Sequence, residues 1–543
     1  MIVKKIGTTL LLSFAGLLLF AQSHPPFTHA DTIRGTVTDE RAWWNVTHYN
    51  LRVQFDYLNR TLAGNNTISF NIISSSKKNM QIDLQPGLDI DSVISAGSKL
   101  KFKRDGSAYY IQWNHHPKEQ QGKVTVYYHG VPRVGKRPPW DGGVTWSADK
   151  HGNPWITVTC QGLGASVWYP CKDYQGDEPD SASLSITVPD TLVAVANGRL
   201  REQRPAAPGY STYTWAVVNP INNYNLIPYI GKYSHWQDTF AGEKGNLDCD
   251  YWALTENLEQ AKAQFVQVKA MLTCFEHWFG PYPFYEDGYK LVQAPHLGME
   301  HQSAVAYGNG FRNGYRGTDL SETGWGLRWD FIIVHESGHE WFGNNITSND
   351  IADMWIHESF TNYSETIFTE CQFGKEAGSD YVTGTRRKIE NNTPIIGHYG
   401  VNEEGSGDMY YNGGNMLHTI RQVINNDEKF REMLRSMNAH FYHKTVDGQE
   451  VRKYMSEQAG FDLSKIFQQY LETTQVPMLE YKSVQGGFDY RWTNVVKGFA
   501  MPLKVFTDKE EWIHPTEEWQ TLRTPSEQLT VDRNFYVKVK AVN

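Results

Sequence analysis

Between residues 48 and 236 apolar and polar positions alternate with a period of two. Leu51, Val53 and Phe55 share one face, Ile68, Phe70 and Ile72 share another, and Ala63, Gly64 and Asn65 between them predict the turn of a hairpin. Residues 123–128 and 184–188 repeat the pattern between Gly, Pro and Asp punctuation, so this stretch reads as a β domain. After Asp248 the spacing changes. Leu258, Ala261, Phe265, Val268 and Leu272 recur at three and four residues, and 329–342 and 353–373 run on without a breaker. Further helices are expected at 416–423, 430–441 and 451–455, with Gly460 as a stop. Beyond Pro477 short strands return, ending with Phe535, Val537 and Val539. The expected architecture is multi-domain α+β: a β domain over 31–236, a mainly helical domain over 237–476 and a small β domain over 477–543.

A length of 543 residues supports this division, because single domains usually hold about 100 to 200. The net charge of -9 comes with Lys and Arg scattered rather than striped, which removes the electrostatic footprint that nucleic-acid binding needs. Lys4 and Lys5 precede an apolar run over 10–20 that ends at Ala21, Gln22 and Ser23, the pattern of a signal peptide over 1–23. The run falls short of the ~20 residues that cross a bilayer, so cleavage is expected, an uncleaved anchor being the alternative. No later stretch is apolar enough to span a membrane, and export to the periplasm or beyond follows. Five cysteines, an odd number, are expected to be buried thiols with at most one oxidised pair among them in an exported protein.

The chemistry sits in Val334-His335-Glu336-Ser337-Gly338-His339-Glu340-Trp341. On a helix, histidines four apart project from one face and can share a zinc ion at about 2.0 to 2.1 Å. Glu336, one residue after the first ligand, faces the same place and can take the proton of an attacking water. Chance alone gives an HExxH segment in about a few per cent of chains this long. A catalytic zinc also needs a third protein ligand and an open position, and Glu358 stands on the next helical segment, Trp355-Ile356-His357-Glu358-Ser359-Phe360. Adjacent side chains on a helix diverge, which argues against His357 as a ligand. Glu365, seven residues beyond Glu358, is a candidate partner for a ligand or an ordinary core-edge acid.

The segment HESGHEW followed by a glutamate 19 residues after its second histidine resembles the gluzincin aminopeptidases related to aminopeptidase N. The resemblance runs from about His48 to Pro477. It implies a β saddle, a thermolysin-like catalytic domain and a short β domain. One Zn2+ per chain would be held by His335, His339 and Glu358, with Glu336 as general base. Leu297-Gly298-Met299-Glu300-His301 is similar to the family's Gly-Ala-Met-Glu-Asn segment, so Glu300 would grip the substrate's amino terminus while Gly298 and Met299 pair with its backbone. Gln161, followed by Trp168-Tyr169-Pro170-Cys171-Lys172-Asp173, resembles the family's substrate-binding glutamine and its core segment. Tyr410, with Tyr411 as the rival register, matches the family's oxyanion-stabilising tyrosine. Leu297, His301, His357 and Asn412 depart from the family pattern. Longer members add a large helical domain at the C-terminus, and the about 66 residues after Pro477 are expected not to form it. The function implied is removal of the first residue from peptides with a free amino terminus. Alternatives are a thermolysin-type endopeptidase and an extracellular binding module with a vestigial metal site.

Overall fold

The structure, a computed structural model, describes residues 26–74, 79–113 and 120–543. The signal-peptide reading of 1–23 lies outside the described residues.

An eight-stranded sheet forms the body of the N-terminal region. Trp44–Asp56 lies near its middle, antiparallel to Thr61–Ile72 and parallel to Ser181–Pro189. The alternation places Leu51, Val53 and Phe55 inward, each at most 8 % exposed. The hairpin turn falls at 57–60 and not at Gly64. Asp56 accepts hydrogen bonds from the backbone and side chain of Asn59, at 3.0 and 2.7 Å, and Arg60 takes the left-handed conformation (φ 52°) that closes the turn. Gly64 is a strand residue, where a Cβ would collide with the carbonyl of Arg52. Its small size answers a close approach between strands rather than a turn. A four-stranded sheet, in the order Val193–Val195, Tyr229–Gly231, Pro154–Thr159, Gly143–Ala148, shares one apolar core with the eight-stranded sheet.

A five-stranded sheet follows, in the order Tyr233–Gly242, Gly245–Leu254, Tyr289–Gln293, Val305–Tyr307, Gly298–Met299. The expected boundary at 236/237 therefore cuts a strand. Tyr233–Gly242 and Gly245–Leu254 are paired residue for residue, and their register keeps the hairpin in one unit with Tyr289–Gln293. Gly298–Met299 is the last strand of this sheet and pairs only with Val305–Tyr307.

The helices pack below it. The apolar stripe over 258–272 forms two helices, Leu258–Phe265 and Gln267–Phe279; the others that matter are Phe331–Gly338, Trp355–Phe373, Tyr411–Ile424, Asp427–His440 and Gly448–Ala459, the last ended by Gly460 at φ 76°. A disulfide joins Cys274 to Cys371, tying Gln267–Phe279 to Trp355–Phe373, while Cys160, Cys171 and Cys249 are buried free thiols. Of the expected last strand, Lys538–Ala541 contains Val539 but not Phe535 or Val537. The C-terminal strands have no core of their own: Leu479, Trp492 and Leu503 belong to the same apolar cluster as the helices. Among the described residues no helix is long and apolar enough to cross a membrane.

Candidate metal centre and substrate cleft

The Phe331–Gly338 helix starts at Asp330, whose Oδ1 accepts from the backbone amides of Ile332 and Ile333 at 3.0 and 3.4 Å. This cap satisfies orphan amides and fixes the direction of the first turn. At the other end Gly338 lets the Trp355–Phe373 helix approach, since a Cβ there would stand 2.5 Å from Ser364 Oγ. The two helices therefore pack closely enough for side chains of both to meet. His339 is the C-terminal cap and keeps helical angles (φ -64°, ψ -19°), so the four-residue spacing still carries both imidazoles to one face.

Glu358 Oε2 lies 3.7 Å from His335 Nε2 and 3.4 Å from His339 Nε2. Ligand arms of about 2.0 to 2.1 Å in a tetrahedron leave edges of about 3.4 Å, close to the carboxylate's separation from each imidazole, and the three ligand atoms all lie within 4.8 Å of one another. The far ring nitrogens are already held. His335 Nδ1 is 2.7 Å from Glu365 Oε1, and His339 Nδ1 is 3.0 Å from the carbonyl of Phe342. Such bonds leave each Nε2 turned to the centre. Glu358 Oε2, buried, makes no hydrogen bond, as expected of an oxygen kept for a metal. Glu365 also accepts from Asn362 and Tyr381, at 3.1 and 2.7 Å, and so is the carboxylate that orients His335.

A second triplet, Glu300, Glu336 and His339, also brings donor atoms together. It is the weaker metal site because Glu300 Oε1 is already engaged, by Gln161 Nε2 at 2.6 Å and Tyr224 OH at 3.0 Å. His357 points away from the centre, its Nε2 accepting from the amide of Ser348 at 2.9 Å.

Around the triad opens a cleft of about 480 Å³. Its lining brings together every sequence-predicted site residue: His335, Glu336, His339, Glu358, Glu300, Gln161, Gly298, Met299 and Tyr410. Gly298 is in close quarters, for a Cβ on it would stand 2.6 Å from Glu336 Oε1. Burial pushes the Glu336 carboxyl up to about 7, where a carboxylate accepts and returns a proton with little bias at neutral pH. Burial also raises Glu300, opposed by the neighbouring His339. In Glu358 burial works upward as well, yet His339 and His335 overcome it and hold the group well below the usual range. Tyr410 stacks on His335 with ring centres 6.0 Å apart, and burial beside Glu358 and Glu404 keeps its phenol protonated, a donor. Tyr411 lines the same cleft, with Glu365 and Tyr315 as its charged and phenolic neighbours, but it is Tyr410 whose ring lies on His335.

Sequence reasoning did not find Tyr224, Asn344, Trp140 or Glu404. Tyr224 and Asn344 fix Glu300, the latter by donating to its carbonyl at 2.8 Å, while Trp140 and Glu404 line the cleft. None sits in a local pattern that could betray it. All are brought in by contacts between distant segments.

Residues 45–224 match the model of the peptidase M1 N-terminal domain and 267–470 that of the peptidase family M1 domain. Probable aminopeptidase 2 of Sulfurisphaera tokodaii is 21 % identical over 81 % of this chain and 55 % of its own length. Leukotriene A-4 hydrolase of Xenopus laevis is 21 % identical over 76 % of this chain and 68 % of its own. Aminopeptidase B of Rattus norvegicus is 23 % identical over 73 % and 58 %. The chain thus spans little more than half the length of two of these relatives. A crystal structure of an M1 zinc metallopeptidase mutant from Deinococcus radiodurans bound to Tyr-Ser-Ala superimposes with a TM-score of 0.65 at 19 % identity, covering 80 % of this chain and 96 % of that one.

Proposed function

Since the chain belongs to the M1 peptidase family, we propose that it is a zinc aminopeptidase that removes the first residue from peptides with a free amino terminus. The observation that carries this reading is Glu300: a carboxylate only 2 % exposed, fixed by Gln161 and Tyr224, facing the same cleft as the metal triad. A buried anion of this kind is costly unless a cation meets it, and the α-ammonium of a peptide is such a cation. An internal peptide bond brings no charge to this position.

His335, His339 and Glu358 would hold the zinc, which when bound supplies a Lewis acid for the scissile carbonyl and for the attacking water. Glu300 and Gln161 hold the substrate's amino end. The free edge of Gly298–Met299 offers backbone groups to the extended peptide. Glu336 takes the proton of the attacking water and hands it to the leaving nitrogen. Tyr410 donates its hydroxyl proton as a hydrogen bond to the oxyanion of the tetrahedral state. The reading extends to export from the cytoplasm, supported by the leader-like pattern over 1–23 and by the Cys274–Cys371 disulfide, a bond that persists in oxidising compartments. Mature protein whose first residue lies near Ser23 is the expected result, read by N-terminal sequencing.

The test of the activity is turnover of aminoacyl anilides and of matched peptides with free or acetylated amino termini. Free peptides should be shortened from the amino end and acetylated ones left intact. Internal cleavage of the acetylated set would establish an endopeptidase instead. The Glu336→Gln variant should keep its zinc and lose turnover by about 10³-fold or more, because the proton acceptor is gone while the ligands remain.

A further inference from the structure

The cleft holds one more acid than the proposed reaction uses. In the proposed reaction Glu358 would hold the zinc, Glu336 would serve as the base, Glu365 is spent on His335, and Glu300 would meet the α-ammonium. Glu404 lines the same cleft, is open to solvent there, and makes no hydrogen bond or ion pair among the described residues. Its neighbour Glu403 is engaged with His398.

Glu404 is not a loose surface side chain. The loop over 397–405 is pinned at several points: the amide of Gly397 donates to the carbonyl of Ala352 at 3.2 Å, the amide of Gly400 to Asp350 Oδ2 at 2.8 Å, and the Tyr399 hydroxyl to Asp353 Oδ1 at 3.0 Å. Asn402 Nδ2 donates to the carbonyl of Gly162 at 3.2 Å. Gly405, at φ 79°, turns the chain immediately afterwards. The result sets Glu404 against the Gln161–Gly162 corner, its Oε2 3.6 Å from where a Cβ of Gly162 would lie. That corner carries the glutamine bonded to Glu300. Glu404 is therefore at the amino end of the cleft, where the first side chain of a bound peptide must go. Tyr315 and Phe331 line the cleft beside His335, and Tyr411 lines it as well.

We propose that Glu404 is the specificity-determining carboxylate for the substrate's first side chain, and that the preferred substrates are peptides beginning with Lys or Arg. The inference rests on the aminopeptidase reading. Lys388 lines the same cleft, but among the described residues no ion pair joins it to Glu404, so a cationic first residue meets an unpaired anion, whereas a neutral one leaves Glu404 without a partner. Glu300 takes the α-ammonium and Glu404 the side-chain cation, so two positive charges of the substrate are read separately.

The experiment compares kcat/KM of the zinc-loaded protein on Arg-, Lys-, norleucine- and Leu-anilides with the same series for Glu404→Gln, zinc content and melting temperature serving as the check on folding. Wild type should favour Arg and Lys over norleucine and Leu by at least about tenfold, and Glu404→Gln should lower that ratio by at least about tenfold. A binding readout accompanies it: Glu336→Gln should bind free L-arginine more tightly than L-norleucine, and the preference should vanish when Glu404→Gln is added. Equal or better turnover of the neutral anilides by wild type overturns the proposal. So does an equal fall for all four substrates in Glu404→Gln, which would place Glu404 on the α-ammonium. Failure of wild type to hydrolyse any anilide overturns the aminopeptidase reading, and this inference falls with it.

Discussion

At the scale of single residues, two contacts decide how the cleft works. Tyr410 lies over His335 with its phenol protonated, so Tyr410→Phe removes a donor without disturbing packing. Loss of one oxyanion donor typically costs about 10²- to 10³-fold in kcat, and KM should change little. Tyr411→Phe, made beside it, should cost no more than about a few-fold, because it is Tyr410 whose ring lies on His335. The second contact is Gly298 against Glu336. Gly298→Ala would set a methyl 2.6 Å from Glu336 Oε1, and a shift of about 1 Å in a base costs about 10²-fold, so the variant should bind zinc normally and turn over about a hundredfold more slowly. Much of the chemistry was legible in the chain: the period of a helix sends His335 and His339 to one face, and Glu358 follows at a distance that only another helical segment can use. Glu404, Tyr224 and Trp140 were not, because their positions depend on loop closures between residues far apart, and no periodicity records those.

At the scale of elements, hydrophobic spacing identified the helices but not their ends. The apolar stripe over 258–272 is shared by two helices, Leu258–Phe265 and Gln267–Phe279, and the first strands of the catalytic region carry the same alternation as the β domain before them. Alternation reports burial of one face and says nothing of which neighbour a strand joins, which is why the boundary fell inside Tyr233–Gly242. The helix pair joined by Cys274–Cys371 offers a direct test. The bridge closes a separation of 97 residues, and loop-closure entropy for about 100 residues amounts to about 4.7 kcal/mol. A Cys274→Ala, Cys371→Ala variant should therefore unfold at lower denaturant, with a loss of about 2 to 5 kcal/mol. The Tyr411–Ile424 helix carries a pH response of its own. His418, buried between Tyr363 and Asn534, is pushed down to about 3 by burial, with Arg421, Arg386 and Lys375 adding to the effect. Below the ordinary imidazole value of about 6.5 the unfolded chain takes up a proton that the folded chain refuses, so stability should fall as pH drops from about 6.5 toward 3, by at most about 1.4 kcal/mol per pH unit from this group. Urea midpoints of chelator-treated protein at several pH values, compared with His418→Gln, would show whether the slope belongs to His418.

At the scale of the whole molecule, two apolar cores meet along the five-stranded sheet. Leu291, Val305 and Tyr307 belong to the core of the helices, while Val292, Met299, Ala304 and Ala306 belong to that of the β region. The strand that carries Gly298 and Met299 is thus clamped from both sides, and Glu300 follows it into the seam. Side chains of the N-terminal region complete the position: Gln161 and Tyr224 cross the seam to Glu300. Among the described residues neither hydrogen-bonds to His335, His339 or Glu358, so their loss should loosen the hold on the substrate's amino end without removing the base or the ligands. Gln161→Ala and Tyr224→Phe are each expected to raise KM for anilides about tenfold with a smaller change in kcat, the reverse of the Tyr410→Phe pattern. A fall in kcat with KM unchanged for both variants would mean that the N-terminal region positions the reacting bond rather than the α-ammonium, and the division of labour between the two cores would have to be redrawn.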